Sequence, residues 1–180
     1  MNIQITSFFY KVIWCIIEKM NKRRKNKLVP LSVIQVADYF IAKSSPNTKY
    51  SVTHLKLQKL VYYAQGWYLA LTNEPLFDEQ LEAWVHGPVS PDLYGVYSQN
   101  GYLDIEKNGS ELNIDVKAKE ILDFIWENFG HYTGKQLENF THEEKPWIIA
   151  RGDLLPFQSS NNVITKESMR EYFKSIIFEE

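Results

Sequence analysis

Histidines and carboxylates are the residues of this 180-residue chain whose types could support acid–base or metal chemistry. The segment His142-Glu143-Glu144 places a base beside two carboxylates. No two histidines are four residues apart and no Cys-x-x-Cys pair occurs, so the spacing disfavours a zinc site. The four histidines are His54, His86, His131 and His142.

Other catalytic signatures are missing from the sequence. There is no Gly-x-Ser-x-Gly elbow for a nucleophilic serine and no glycine-rich phosphate loop. The single cysteine, Cys15, cannot form an internal disulfide, which is compatible with a reducing cytosol. We therefore predict a cytoplasmic, non-enzymatic protein with no catalytic residue, cofactor or metal. A hydrolase that uses His86 or His142 with nearby carboxylates is the enzymatic alternative.

The segment Trp84-Val-His-Gly-Pro88 is more suggestive of binding. Gly87 permits backbone geometry that other residues avoid, and Pro88 fixes its own φ. A rigid turn here would hold Trp84 and His86 in a defined pose beside Tyr94. The residues leave two interpretations open: a buried tight turn between a strand and a helix, or a contact surface built on that turn.

A long helix is predicted immediately before this segment. Thr53 is its expected N-cap, and the helix should run to about Leu71. Its apolar face should pack in the core, and Tyr63 and Trp67 favour core packing as well. We expect Lys56, Lys59 and Gln65 to lie away from the buried face, and Tyr62 or Tyr63 to meet solvent or a partner. The apolar positions are Leu57, Leu60, Val61, Ala64, Tyr68 and Leu71.

The rest of the chain is predicted to be mainly α-helical, with a minor α+β character. A strand is predicted over Leu81–Val85, ended by Gly87-Pro88, with a second short strand or hairpin before Ile114. Thr141 and Glu144 match a capping box, which favours a structural role for Glu144. We predict one compact helical domain over 31–180, with a strand or hairpin around 81–114. Further helices are expected over 31–42, from Ser90-Pro91, over 118–129, from Thr133, from Thr141 and over 165–178.

Charge is distributed unevenly along the chain. Seven of the 20 Lys and Arg and one of the 22 acidic residues lie in 1–30, so this segment carries +6 and the remainder −8. An acidic body is a poor match for nucleic acid, which is bound through clustered Lys and Arg. A basic protein partner suits it better.

Residues 1–30 form a hydrophobic and basic extension. Its apolar run is too short for a membrane span, and its charges follow the run, unlike those of a secretory signal. Three interpretations are open: a helix packed on the body, a membrane-surface helix with a polybasic tail, or a segment upstream of a true start at Met20 or later. We favour the last, and expect membrane contact only if 1–30 is native.

Three separated blocks of the body resemble a known family. The sequence is similar to the Panacea domain, the SocA-like antitoxin domain also described as a phage-associated, GepA-like protein. The resemblance covers about Val33 to Arg151. The blocks are Thr53-x-Leu-Lys-Leu-Gln-Lys-Leu-Val-Tyr-Tyr-Ala-Gln-Gly-Trp67, Glu82-Ala-Trp-Val-His-Gly-Pro-Val89 with Leu93-Tyr94, and Leu137-x(3)-Thr141-His-x-Glu-x-Pro-Trp147-x(2)-Ala150-Arg151.

This resemblance implies a mainly helical antitoxin of a toxin–antitoxin pair, often carried by phages or prophages. Its members are expected to neutralise a toxin, commonly encoded by a neighbouring gene, by direct binding. The founding member implies an alternative, an adaptor that delivers the toxin to an ATP-dependent protease. Candidate motif and partner-binding residues are Lys59, Tyr63, Trp67, Trp84, His86, Gly87, Pro88 and Tyr94.

Overall fold

The computed structural model describes residues 30–106 and 114–178. Predictions for residues 1–29, including Cys15 and Met20, lie outside the described residues. Within these ranges the fold is mainly helical with a small sheet, which confirms the predicted fold class. The helices are α1 Val33–Lys43, α2 His54–Thr72, α3 Pro91–Tyr97, α4 Val116–Phe129, α5 Gly134–His142, α6 Lys145–Arg151 and α7 Lys166–Phe178. The strands are β1 Leu81–Trp84, β2 Gly87–Val89 and β3 Val163–Ile164, and a 3-10 turn follows α3 at Ser98–Asn100.

Helix α2 is the central element of the fold. Its residues from Lys56 to Ala70 are all buried, because α1, α4, α5, α7 and β2 pack around it. Gly66 allows α7 to pack closely on α2: a Cβ built there would lie 2.1 Å from a ring carbon of Phe173 in α7. A single core therefore surrounds one helix on several sides, rather than on the single face of an amphipathic helix.

Side-chain caps fix where the helices begin. Ser32 and Gln35 form a capping box at α1, and Thr133 and Gln136 form another at α5. Thr53 caps α2 by accepting from the Lys56 amide, as predicted. Ser90 likewise accepts from Leu93 N–H, and Pro91 occupies the first turn of α3.

The sheet has the order β2-β1-β3, with both pairs antiparallel. Trp84 pairs with Gly87, so Val85 and His86 form a two-residue hairpin loop. The predicted strand over Leu81–Val85 is confirmed as β1, which stops before Gly87. Gly87-Pro88 were predicted only to end that strand, whereas they also begin β2, and Gly87 has φ +91°. The third strand comes from Val163–Ile164, not from the segment before Ile114. Of that segment, residues 101–106 contain only an isolated bridge of Asp104 to Thr53, and 107–113 lie outside the described residues.

Across the described ranges, no helix has both the length and the apolar character needed to cross a bilayer.

Candidate partner-binding site and its buried support

Lys59 joins the central helix to the hairpin. Its side chain is fully buried, and its Nζ donates a hydrogen bond to the Pro88 carbonyl at 2.9 Å. Burial lowers the pKa of Lys59 to about 7, against the opposing effect of the Glu138 charge. The prediction that Lys59 lies away from the buried face is wrong, because β2 and α5 cover the polar side of α2.

Lys56 is also buried, contrary to prediction. Its Nζ donates to the carbonyls of Lys49, Ser51 and Gly130 at 3.0, 2.8 and 2.7 Å. Burial lowers the pKa of Lys56 to about 8. The side chain therefore fixes the loop before α2 and the end of α4 at the same point.

Two buried glutamines of α2 form paired hydrogen bonds with the backbone. Each accepts from an N–H and donates to a carbonyl, as a neighbouring β-strand does. Gln58 accepts from Ser90 N–H at 2.8 Å and donates to the Ser90 carbonyl at 3.3 Å. Gln65 accepts from Leu76 N–H and donates to the Phe77 carbonyl, both at 2.8 Å. Gln65, too, is buried where the sequence predicts a position away from the core.

Glu144 is the buried acceptor for two tyrosines. The hydroxyls of Tyr62 and Tyr63 donate to its carboxylate at 2.7 and 2.9 Å. Desolvation raises the pKa of Glu144 to about 7, although both hydrogen bonds oppose that shift. Two predictions are wrong here. Neither tyrosine meets solvent, and Glu144 caps no helix through its side chain, because Thr141 lies inside α5 and the carboxylate points to α2.

His86 lies at the surface of the hairpin loop. Its Nδ1 is 3.2 Å from Oε1 of Glu138, which also accepts from Lys135 at 2.8 Å. The His86 side chain is 72% exposed, whereas that of Glu138 is 4% exposed. These bonds to Lys135 and His86 lower the pKa of Glu138, in opposition to desolvation. His86 is thus an exposed imidazole tied to a buried carboxylate.

His142 has a different environment. Its ring stacks on Trp147 with a centroid distance of 4.3 Å, and its buried Nε2 has no hydrogen-bond partner among the described residues. Burial lowers the pKa of His142, so the imidazole is neutral at pH 7. In the described ranges, neither His86 nor His142 forms a hydrogen bond with a hydroxyl or a thiol. No cluster of His, Cys, Asp and Glu in these ranges could hold a metal ion.

An aromatic cluster lies beside the hairpin, with Tyr94 exposed and His54 and Trp84 half-buried; we call these three residues the aromatic step. Ring centroids are 4.9 Å apart for Trp84 and Tyr94, and 5.3 Å apart for His54 and Tyr94. The predicted pose of Trp84 beside Tyr94 is confirmed. Trp84 Nε1 donates to the carboxylate of Glu82 at 2.7 Å, which holds an acidic group against the step.

A groove of about 440 Å³ adjoins the step. Trp84, Val85 and His86 form one wall, and residues 159–161 form the other. Arg151 positions the second wall from inside: its guanidinium donates to the carbonyls of Ala83, Leu155 and Gln158 at 3.2, 2.6 and 2.8 Å. Sequence reasoning missed this wall, although Arg151 was part of the motif that carried the family resemblance.

The predicted site residues therefore separate into two groups. Trp84, His86 and Tyr94 reach the surface beside the groove. The others lie in the interior, where they hold the hairpin and helices together. This buried group comprises Lys59, Tyr63, Trp67, Gly87 and Pro88.

The fold and site define a helical scaffold domain that supports a surface hairpin carrying the half-buried Trp84 and the exposed His86. The chain belongs to the family described as Antitoxin SocA-like, Panacea domain, which it matches over residues 57–148. It is also 44% identical over 115 residues to Antitoxin SocA of Caulobacter vibrioides strain NA1000 / CB15N. That alignment covers 56% of this chain and 61% of the relative, so somewhat less than two thirds of the relative is matched. No solved structure matches the chain.

Proposed function

We propose that this chain is the antitoxin of a toxin–antitoxin pair and neutralises its cognate toxin by direct protein–protein binding. Membership of the SocA-like family is the observation that carries the proposal. The 44% identity to a protein named Antitoxin SocA supports it. The role requires a binding surface and no chemical step, in keeping with a non-enzymatic protein.

The positions and hydrogen bonds of the motif residues support a binding role. Lys59 and Glu144 bind groups within the fold and present no reactive group to solvent. They brace the hairpin and α6, while Trp84 and Tyr94 remain accessible. The charge of −8 over 31–180 favours a basic protein over nucleic acid as the partner.

We propose 31–180 as the unit that carries this activity. The family match covers 57–148, but α1 and α7 flank that region and pack directly on α2. Removal of α1 would take away Phe40 and uncover Trp126, and removal of α7 would take away Phe173 and uncover Trp67 in the common core.

Co-expression tests the proposal directly. The neighbouring open reading frame is expressed alone and then with this chain. We expect growth arrest in the first case and rescue in the second, with the two proteins co-purifying. A harmless neighbour, or a toxic one that this chain fails to rescue, would contradict the antitoxin role.

Two further rescue experiments distinguish direct neutralisation from the hydrolase and from the proteolytic adaptor. Rescue by a His86→Ala/His142→Ala double variant would leave the hydrolase without its proposed catalytic groups. Rescue in a strain that lacks the candidate ATP-dependent protease, with toxin levels unchanged, supports direct neutralisation. Loss of rescue in that strain alone would instead identify a proteolytic adaptor.

A further inference from the structure

We propose that the aromatic step, together with Glu82, is the toxin-contact site and receives an arginine or lysine side chain of the toxin. This inference rests on the proposed function, and deepens it by naming the face used and the chemistry of the group bound.

The geometry of the step suits a cation. Trp84 and Tyr94 lie 4.9 Å apart at an interplanar angle of 56°, so the two rings are tilted and do not cover each other face to face. Tyr94 is 43% exposed. A cation over the face of such a ring is attracted by the negative ring face, and arginine is the usual ligand.

Glu82 supplies the matching charge. Its carboxylate accepts from the Trp84 indole N–H at 2.7 Å, and no lysine or arginine of the described chain forms an ion pair with it. A carboxylate at the edge of an aromatic surface can bind the guanidinium that lies over the ring. Asp92 adds a second exposed acid in the first turn of α3, the helix that carries Tyr94.

Among the described residues, the lysines closest to the step in the fold already have partners. Lys59 is buried against the Pro88 carbonyl, and Lys135 pairs with Glu138 at 2.8 Å. His54, the third ring of the step, has its pKa lowered by burial and by the charge of Lys59, so it is neutral at pH 7. The step is therefore an uncharged aromatic surface bordered by acid, on a body of charge −8.

The groove provides room for the rest of the contact. Trp84 belongs both to the step and to the groove of about 440 Å³ beside it. A basic side chain over Trp84 can thus extend its polypeptide along the wall formed by residues 159–161. The exposed Ser159 and Asn161 and the half-buried Ser160 on that wall offer polar groups to a passing backbone.

The first experiment tests the chemistry of the site without the toxin. The full chain, labelled with 15N, is titrated with the peptide acetyl-Gly-Arg-Arg-Gly-Arg-Arg-Gly-amide and with its citrulline counterpart, a neutral isostere of the same shape. The Trp84 indole signal, assigned by its loss in Trp84→Phe, should shift and saturate with the arginine peptide. Binding should weaken at least about fivefold in Glu82→Gln and remain unchanged in the control Glu127→Gln, an exposed acid on α4.

Three results of the titration would overturn the proposal. One is an unshifted indole, and another is an equal response to the citrulline peptide. The third is a large gain in affinity when Lys22, Arg23, Arg24, Lys25 and Lys27 are all changed to Gln, since the chain's own basic segment would then be the occupant.

The second experiment uses the toxic neighbour identified by rescue. Trp84→Ala, Tyr94→Ala and Glu82→Gln should each weaken toxin binding about tenfold or more, and the binding should weaken as salt is raised. Phe157→Ala, which removes a 75% exposed ring from the loop behind the groove, should bind as wild type does. Circular dichroism checks that each variant is folded, and Glu82→Gln remains informative if Trp84→Ala is not.

The proposed function and this inference fail in different ways. If wild type rescues growth but Trp84→Ala, Tyr94→Ala and Glu82→Gln all bind the toxin normally, the antitoxin role stands and the proposed site is wrong. If wild type fails to rescue, the function fails, and the peptide titration still decides whether the step binds a cation.

Discussion

The Nζ of Lys59 donates to the carbonyl of Pro88, so a buried lysine of the central helix holds the second strand of the hairpin. This hydrogen bond is 2.9 Å long and lies in a fully buried environment. It connects two of the three blocks that carry the family resemblance. Because the amine is buried, its protonation also affects the stability of the domain.

Replacing this lysine should change how stability responds to pH. Burial lowers the pKa of Lys59 from 10.5 to about 7, so between these values the unfolded chain binds a proton that the folded chain does not. Stability should therefore rise with pH above 7, by up to about 1.4 kcal/mol per pH unit from this group. Urea unfolding at pH 7, 8 and 9 should show this rise in wild type and a smaller one in Lys59→Met.

Lys56→Met is the matched control for that experiment. The pKa of Lys56 is lowered to about 8, so its contribution to the rise in stability should begin about one pH unit higher than that of Lys59. Parallel stability curves for wild type and Lys59→Met would contradict the assignment of a displaced proton to Lys59.

Glu144 should make the stability of the domain fall with rising pH, over a lower pH range than that of Lys59. Desolvation raises its pKa from 4.5 to about 7, so the folded state binds the proton more tightly. Stability should therefore fall as pH rises from 4.5 to 7, by about 3 kcal/mol at most. Glu144→Gln keeps the shape and stays neutral, so its unfolding free energy should lack this fall. Glu127→Gln, an exposed acid, should follow the wild-type curve.

The contact of Gly66 with Phe173 predicts a severe effect of one methyl group. A Cβ at Gly66 would lie 2.1 Å from the ring, so Gly66→Ala must displace α7 or the ring and should cost about 1–3 kcal/mol or more. Gly95→Ala is the control, because that helical position has no atom within 4 Å of the new Cβ and should be stabilised by about 0.5–1 kcal/mol. Thermal unfolding of the two variants should shift in opposite directions.

Loss of the Arg151 guanidinium should release the outer wall of the groove. Arg151→Met removes charged hydrogen bonds to Leu155 and Gln158, and should destabilise the domain by at least about 2 kcal/mol. Limited proteolysis should cut the variant within residues 154–160 faster than wild type. Lys145→Met, an exposed change on the same helix, should leave cleavage unaltered. Equal cleavage of both variants would show that the loop does not depend on Arg151.

The helix starts could be predicted from the sequence because each depends on a few adjacent residues. Thr53, Ser90 and Thr133 all cap the helices that follow them. The same local logic was wrong for Glu144, whose spacing from Thr141 fits a capping box. Its real partners, the tyrosines of α2, are more than 80 residues away in sequence.

The burial of Lys56 and Lys59 could not be predicted from periodicity. Periodicity identifies a helix with one buried face, whereas α2 is enclosed on several sides and its polar side chains find acceptors inside the fold. Strands β2 and β3 were missed because two or three residues are too few to show alternation. For the candidate site, the pairing of Trp84 with Tyr94 was predictable from their common segment, and the distant wall at 159–161 was not.

Arg151, Lys56 and Lys59 share one property: each binds main-chain carbonyls of the segments it holds. A carbonyl is present at every residue, so these bonds place no demand on which side chains the held segments carry. The loop at 153–161 can therefore exchange outward-facing residues such as Phe157 and keep its path, as long as Gln158 and Ser160, which accept from the Leu155 and Asn162 amides, are retained. New recognition sequences can be installed at the other exposed positions of that loop while the internal guanidinium of Arg151 still binds its carbonyls.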